Sequence, residues 1–166
     1  MAAEWERLWA PHRIEYIQSG PQPHIDDCPF CRIPGMTDEE GLIVHRGDTA
    51  YVVLNLYPYN AGHLLVCPFR HFALYSDATD AEVAEIGHLT RTAMRVVTTV
   101  SGAQGFNIGM NQGQLSGAGV AHHLHQHVVP RWLGDTNFMP AIGATKVMPV
   151  LLSETRRLFA EAWPDA

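Results

Sequence analysis

The chain has 166 residues, of which 46% are hydrophobic and only 17% charged, and its net charge is −6 with histidine counted neutral. That length and composition suit a single domain with a real core and exclude a disordered, coiled-coil or collagen-like chain. The acidic balance excludes a broad duplex nucleic-acid footprint, which needs clustered Lys and Arg, but a small anionic ligand needs only a local site.

The start, Met1-Ala2-Ala3-Glu4-Trp5-Glu6-Arg7, is acidic and aromatic, unlike a signal peptide. No apolar run approaches the ~20 residues a membrane-spanning helix needs. A cytoplasmic protein with no membrane partner is therefore expected. Residues 1–27 read as an N-terminal arm, aromatic-rich and then Gly/Pro/Asp-rich, before Cys28-Pro29-Phe30-Cys31 opens the compact part. Two short apolar runs at 42–46 and 51–54, parted by Gly47-Asp48-Thr49, predict a hairpin. The loop 55–62 leads into a buried strand at 63–68. Thr79 or Asp80 caps a helix predicted to run to about Val100, because Val83, Ile86, Leu89, Ala93, Val96 and Val97 recur at helical spacing.

Further along, 105–111 reads as a strand, 112–119 as a glycine-bearing loop, and 120–131 as a strand whose pairing Pro130 ends. A second helix is predicted at 147–162, with Leu151, Leu152, Thr155, Leu158 and Phe159 on one side. Strands in hairpin order with two principal helices give an α+β fold, a mainly antiparallel sheet of about five strands. The whole chain, 1–166, reads as one domain, with 133–166 a C-terminal extension. The low charged fraction and aromatic ends point to a homodimer or higher homo-oligomer, with the helix at 79–100 as an interface element.

The unusual count is histidine, at 10, and four of these fall within His122-His123-Leu124-His125-Gln126-His127. On a strand, alternate side chains share a face. His123, His125 and His127 then line one face, while Leu124, Val128, His122 and Gln126 take the other. Three imidazoles in a row pack poorly, so a merely decorative polar face is disfavoured. Two chemistries use them: a three-histidine metal centre that activates water, or attack by a neutral imidazole on phosphorus or an acyl carbon. The spacing alone does not separate these. Cys28-x-x-Cys31 reads as a half-site for zinc or as a reduced, partly buried thiol pair, and Cys67 reads as a small core hydrophobe.

His123-Leu124-His125-Gln126-His127-Val128-Val129 resembles the His-φ-His-φ-His-φ-φ motif of the histidine triad family of nucleotide hydrolases and transferases, with Gln126 at a usually apolar position. Residues 55–68, NLYPYNAGHLLVCP, resemble that family's ribose loop and following strand. The flanks, Trp9-Ala10-Pro11-His12-Arg13, Cys28-Pro29-Phe30-Cys31 and the tail at 145–156, resemble its actinobacterial diadenosine tetraphosphate phosphorylase branch.

The resemblance implies roles. His125 would be the nucleophile that takes a nucleotidyl group, and His127 would contact the phosphate and leaving oxygen. The main chain of His123 would fix the tautomer of His125. Asn55 would hold the ribose hydroxyls, His63 would support the histidine face, and Asn111 with the Gly117, Ala118 and Gly119 backbone would hold phosphate oxygens. Lys146, with the Thr145 hydroxyl, would bind the acceptor phosphate. His71 and His123 would complete a structural zinc site with Cys28 and Cys31; no organic cofactor is expected. The implied reaction is phosphorolysis of diadenosine tetraphosphate to ADP and ATP through an adenylyl-histidine. The alternatives are hydrolysis of dinucleoside polyphosphates or other adenylylated small molecules to AMP, and a non-catalytic nucleotide-binding module. The implied partners are thus a dinucleoside polyphosphate or other adenine nucleotide and orthophosphate.

Overall fold

The computed structural model describes residues 28–135 and 149–164. Its frame is a five-stranded, wholly antiparallel sheet in the order β1-β2-β3-β5-β4. The strands are β1 (Ile43–Arg46), β2 (Ala50–Leu54), β3 (Leu64–Pro68), β4 (Gly105–Gly109) and β5 (Gln126–Arg131). The helices are a single turn α1 (Pro29–Arg32), the long α2 (Asp80–Ser101) and α3 (Leu152–Glu161).

The apolar β2 and β3 sequences are buried along their whole length because both faces of the sheet are covered. On one face Val52, Leu54, Leu64, Val66, Leu124 and Val128 meet Ile86, Leu89, Ala93, Val96 and Val97 of α2. On the other, Tyr51, Val53, Leu65 and Cys67 pack with Cys28 and Phe30 of the α1 turn. The predicted cap of α2 forms as a reciprocal box between Thr79 and Glu82, and Gly102 ends the helix in the left-handed region, φ 65°. Arg70 grips the Glu82 carboxylate and holds it well below the usual carboxylate range, at about 2. The β1–β2 turn is pinned to α2 by Glu85, whose carboxylate accepts from the N–H groups of Asp48, Thr49 and Ala50.

Four expectations change. The strand predicted at 120–131 begins only at Gln126, because 123–125 lies past the last β3–β5 pair, Val66 opposite Gln126. There the chain bonds instead to the segment after β3, Leu124 N–H donating to the Phe72 carbonyl at 2.6 Å. His122 accordingly escapes the strand alternation and sits beside His71, with ring centroids 5.4 Å apart. Pro130 does not end the pairing: it lies opposite Phe106 of β4, beyond the end of β3, where no N–H is demanded on that side. The strand expected at 105–111 stops at Gly109.

The helix predicted at 147–162 spans Leu152–Glu161, and 147–148 lie outside the described residues. Leu151 is its extended N-cap residue and 77% exposed, so it leaves the packed side. Phe159 is the residue that enters the core, while Arg156 donates to the Ile43 carbonyl at 2.7 Å and ties α3 to β1. Trp163, just beyond α3, stacks on His45 with centroids 4.9 Å apart.

Candidate active site and candidate metal centre

The triad segment crosses the sheet between two covers, the 55–63 loop and the α1 turn. His63 arrives on the loop through Gly62, whose φ of +66° an L-residue tolerates poorly and beneath which the Phe159 ring lies 3.0 Å from where a Cβ would stand. Asn60 anchors the same loop through its side-chain N–H groups to the Pro130 carbonyl and the Asp135 carboxylate.

The hydrogen bonds assign every tautomer in the row. The Tyr59 main-chain N–H donates to His63 Nδ1 at 3.0 Å, and the Asn55 amide lies 3.3 Å from the same nitrogen. A neutral His63 then carries its proton on Nε2, which donates to His127 Nδ1 at 3.0 Å. His127 is thereby left with an Nε2–H, and that nitrogen is buried with no hydrogen-bond partner among the described residues. His125 donates from Nδ1 to the His123 carbonyl at 2.9 Å, so its Nε2 carries the lone pair. Burial lowers the pKa of His125, and burial followed by the neighbouring His125 charge pushes His127 down to about 4. Both rings are neutral near pH 7. The site therefore sets an unprotonated imidazole nitrogen beside a buried N–H donor that has no partner among the described residues, a pair that can serve nucleophilic attack on phosphorus and stabilisation of a departing oxygen.

His123 divides its groups between two sites. Its carbonyl serves His125, but its ring turns to the cysteines. Nε2–H donates to the Pro68 carbonyl at 3.0 Å, which leaves the Nδ1 lone pair 3.3 Å from Cys28 Sγ and 3.4 Å from Cys31 Sγ. His71 Nδ1 lies 3.2 Å from Cys31 Sγ. The four donor atoms lie within 4.8 Å of one another, and Cys28 and His123 are buried. Two sulfurs and two imidazole nitrogens converging on one point fit a closed tetrahedral zinc site. Burial, with the Cys28 thiol beside it, pushes the Cys31 thiol up to about 11, so Cys31 makes a poor nucleophile near neutrality.

The remaining predicted residues separate. Asn55 spends its Oδ1 on the Tyr57 N–H, 3.0 Å away. The β4–β5 register ends with Gly109 opposite His127, and Asn111 lies two residues beyond the end of β4. Gly117, in the left-handed region at φ 75°, Ala118 and Gly119 lie in the loop before the triad segment. Lys146 and Thr145 lie outside the described residues, as does the 1–27 arm.

Three site residues were not legible as such. Phe30 sets its ring 4.8 Å from that of His125, Tyr51 donates its buried hydroxyl to the Phe30 carbonyl at 2.8 Å, and Tyr59 stacks on His127 at 5.5 Å between centroids. From the sequence, Tyr59, like Tyr57, was legible only as a ring that stacks on a base or closes the 55–62 loop, not as a partner of His127. Tyr51 looked like any aromatic residue in a core strand.

A five-stranded antiparallel sheet bearing this histidine row defines a histidine triad protein. The HIT domain matches residues 37–132, and the chain belongs to that family. It is 49% identical over 164 residues to the AP-4-A phosphorylase of Mycobacterium tuberculosis, covering 95% of this chain and 84% of that protein. A zinc-bound histidine triad family protein from Mycobacterium smegmatis superposes with a TM-score of 0.66 at 25% identity, covering 84% of this chain and 95% of the other. A hypothetical histidine triad nucleotide-binding protein from Sulfolobus tokodaii also reaches 0.66, at 27% identity over 81% of this chain and 91% of its own.

Proposed function

We propose that the protein is a diadenosine tetraphosphate phosphorylase working through an adenylyl-histidine. One observation carries the mechanism: the tautomers leave a lone pair on His125 Nε2 and a proton on His127 Nε2. The 49% identity to an AP-4-A phosphorylase supplies the substrate. His125 Nε2 attacks the α-phosphorus of one adenosine, the bond to the bridging oxygen breaks, and ATP leaves on that oxygen. A neutral nucleophile avoids repulsion by the flanking anionic oxygens. His127 Nε2–H donates to the departing oxygen, which needs no full proton because it leaves as part of an acidic phosphate. Orthophosphate then attacks the adenylyl phosphorus, the P–N bond breaks, and ADP departs with His125 restored. Asn55 is assigned to the ribose, and Asn111 with the Gly117, Ala118 and Gly119 backbone to phosphate oxygens.

Zinc, held by Cys28, Cys31, His71 and His123, would supply a crosslink between the α1 turn and the triad segment. The protein is assigned as a cytoplasmic homo-oligomer, and among the described residues no helix is long and apolar enough to cross a membrane. Light scattering at micromolar concentration should exceed the monomer mass.

Retention of a third histidine, His127, favours water as a competing acceptor, with AMP as product. Chromatography of the products from diadenosine tetraphosphate with and without phosphate decides between them: ADP with ATP supports phosphorolysis, and AMP with ATP in both cases overturns it. Lys146→Ala should raise the phosphate needed for half-maximal rate and the AMP fraction; no change removes the tail from the acceptor pocket.

A further inference from the structure

Tyr59 stands over the one imidazole pair whose proton order matters most. Its ring centroid is 5.5 Å from that of His127 at an interplanar angle of 24°, and 4.9 Å from that of His63 at 34°. The two imidazoles lie 5.1 Å apart and are joined by the His63 Nε2–H to His127 Nδ1 bond. Below this stack His63 is fully buried, whereas Tyr59 is 50% exposed, so the phenol ring is the layer between the pair and solvent. The same residue donates its main-chain N–H to His63 Nδ1. Its neighbour Asn60 is bonded to β5 and to Asp135, and Gly62 rests on Phe159, so the loop holds the ring by anchors on both sides.

From this arrangement we propose that Tyr59 is a positioning residue for His127: its ring seals the His63–His127 pair from water and keeps the His127 Nε2–H aimed at the leaving oxygen. This rests on the assignment of that N–H to the leaving oxygen. A bare imidazole pair at a cleft mouth exchanges its internal bond for bonds to water, and the two His127 tautomers then mix. Under a flat aromatic ring the pair keeps offset-stacked contact on one side and its internal hydrogen bond, and exchange of that bond with water from the covered side is disfavoured. The face of Tyr59 turned to His127 is already used, so a base stacking there would have to displace the imidazole.

The test compares Tyr59→Phe with Tyr59→Ala, both of which keep the main-chain N–H. Nitrogen-15 spectra of the imidazoles in the intact protein should show His127 as a single Nε2–H tautomer in the wild type and in Tyr59→Phe, and a tautomer mixture in Tyr59→Ala. With diadenosine tetraphosphate and phosphate, Tyr59→Ala should lower kcat about 10-fold with KM changed less than about 2-fold, the scale expected for a displaced catalytic group, and Tyr59→Phe should restore it. A pure Nε2–H tautomer with unchanged kcat in Tyr59→Ala overturns the proposal. So does a rise in KM alone, which would make Tyr59 a substrate contact. Failure of the wild type to turn over the dinucleotide would instead sink the proposed reaction, and the nitrogen spectra would still decide whether the ring holds the tautomer.

Discussion

Two histidine clusters meet at His123, and they differ in where their lone pairs point. In the Cys28, Cys31, His71 and His123 group four donor atoms converge within 4.8 Å on a shared point, and the ring proton of His123 is spent on the Pro68 carbonyl outside it. In the other group His63 donates to His127 and His125 donates to the His123 carbonyl, and among the described residues the remaining His127 Nε2–H has no hydrogen-bond partner. Convergence without protons suits a cation in a closed site, whereas a directed chain ending in an open donor suits a reacting anion. The two cysteines mark the first cluster, but among the histidines residue type does not say which ring serves which. The acceptor available to the second ring nitrogen does.

The most drastic way to break that comparison is to remove the proposed nucleophile. His125→Ala should cut turnover by about 10⁴-fold or more, with an unchanged far-ultraviolet spectrum. Mass spectrometry of quenched wild-type protein should find the adenylyl group on His125. Substantial activity in the variant would remove His125 from the chemistry. Next in size, His127→Ala should lower the ADP and AMP channels together by about 10²–10³-fold, the scale of a lost donor at a developing charge. A change confined to one channel would place His127 in the second half-reaction.

The metal cluster should answer differently. Cys28→Ser is expected to abolish the single bound zinc by elemental analysis and to lower Tm by several degrees, about 4 °C for each kcal/mol lost in a domain of this size. The chemical step should fall far less than in His125→Ala. Zinc-free wild-type protein of unaltered Tm would refute the closed site.

Acidification acts on the His125–His127 cluster. His127, held near pKa 4 by burial, stays neutral in the folded chain while its unfolded counterpart takes up a proton below about 6.5. Its burial therefore costs nothing above pH 6.5 and destabilises the fold progressively as pH falls from there toward 4. Activity should hold through pH 6.5 and fail only at lower pH, as His125 and His127 protonate. A rate limb centred at 6.5 would mean these rings are solvated.

The smallest effect concerns the motif's odd residue. Gln126 points to α2 and donates to Thr90 Oγ1, whose hydroxyl in turn donates to the Ile86 carbonyl. Gln126→Leu should cost no more than about 1 kcal/mol, since Thr90 keeps its own acceptor. Urea melts that shift further would show that the bond steadies the triad strand.

Much of the fold was legible because its signals are local. The turn at Gly47-Asp48-Thr49, the Thr79 cap and the apolar spacing of α2 each depend on residues close in sequence. The expected strand at 120–131 ran too long because alternation carries no information about where a neighbouring strand ends. β3 stops facing β5 at Gln126, and His123 and His125 keep their side by packing and not by sheet pairing. Leu151 was misplaced for a related reason: a helix start is decided by the entering backbone, and periodicity extends through it.

By itself the sequence determined the antiparallel α+β frame, the chemical identity of the two clusters and the family, since residue type and spacing carry all three. Only the tertiary structure decided which nitrogen of each imidazole holds its proton. That depends on the Tyr59 N–H, the His123 carbonyl and the Pro68 carbonyl, groups whose placement is a property of packed backbone and which no side-chain pattern encodes. It also decided that Tyr59 roofs His127 and that Phe159 supports the turn at Gly62, because each contact joins segments that the chain brings together only when the core closes.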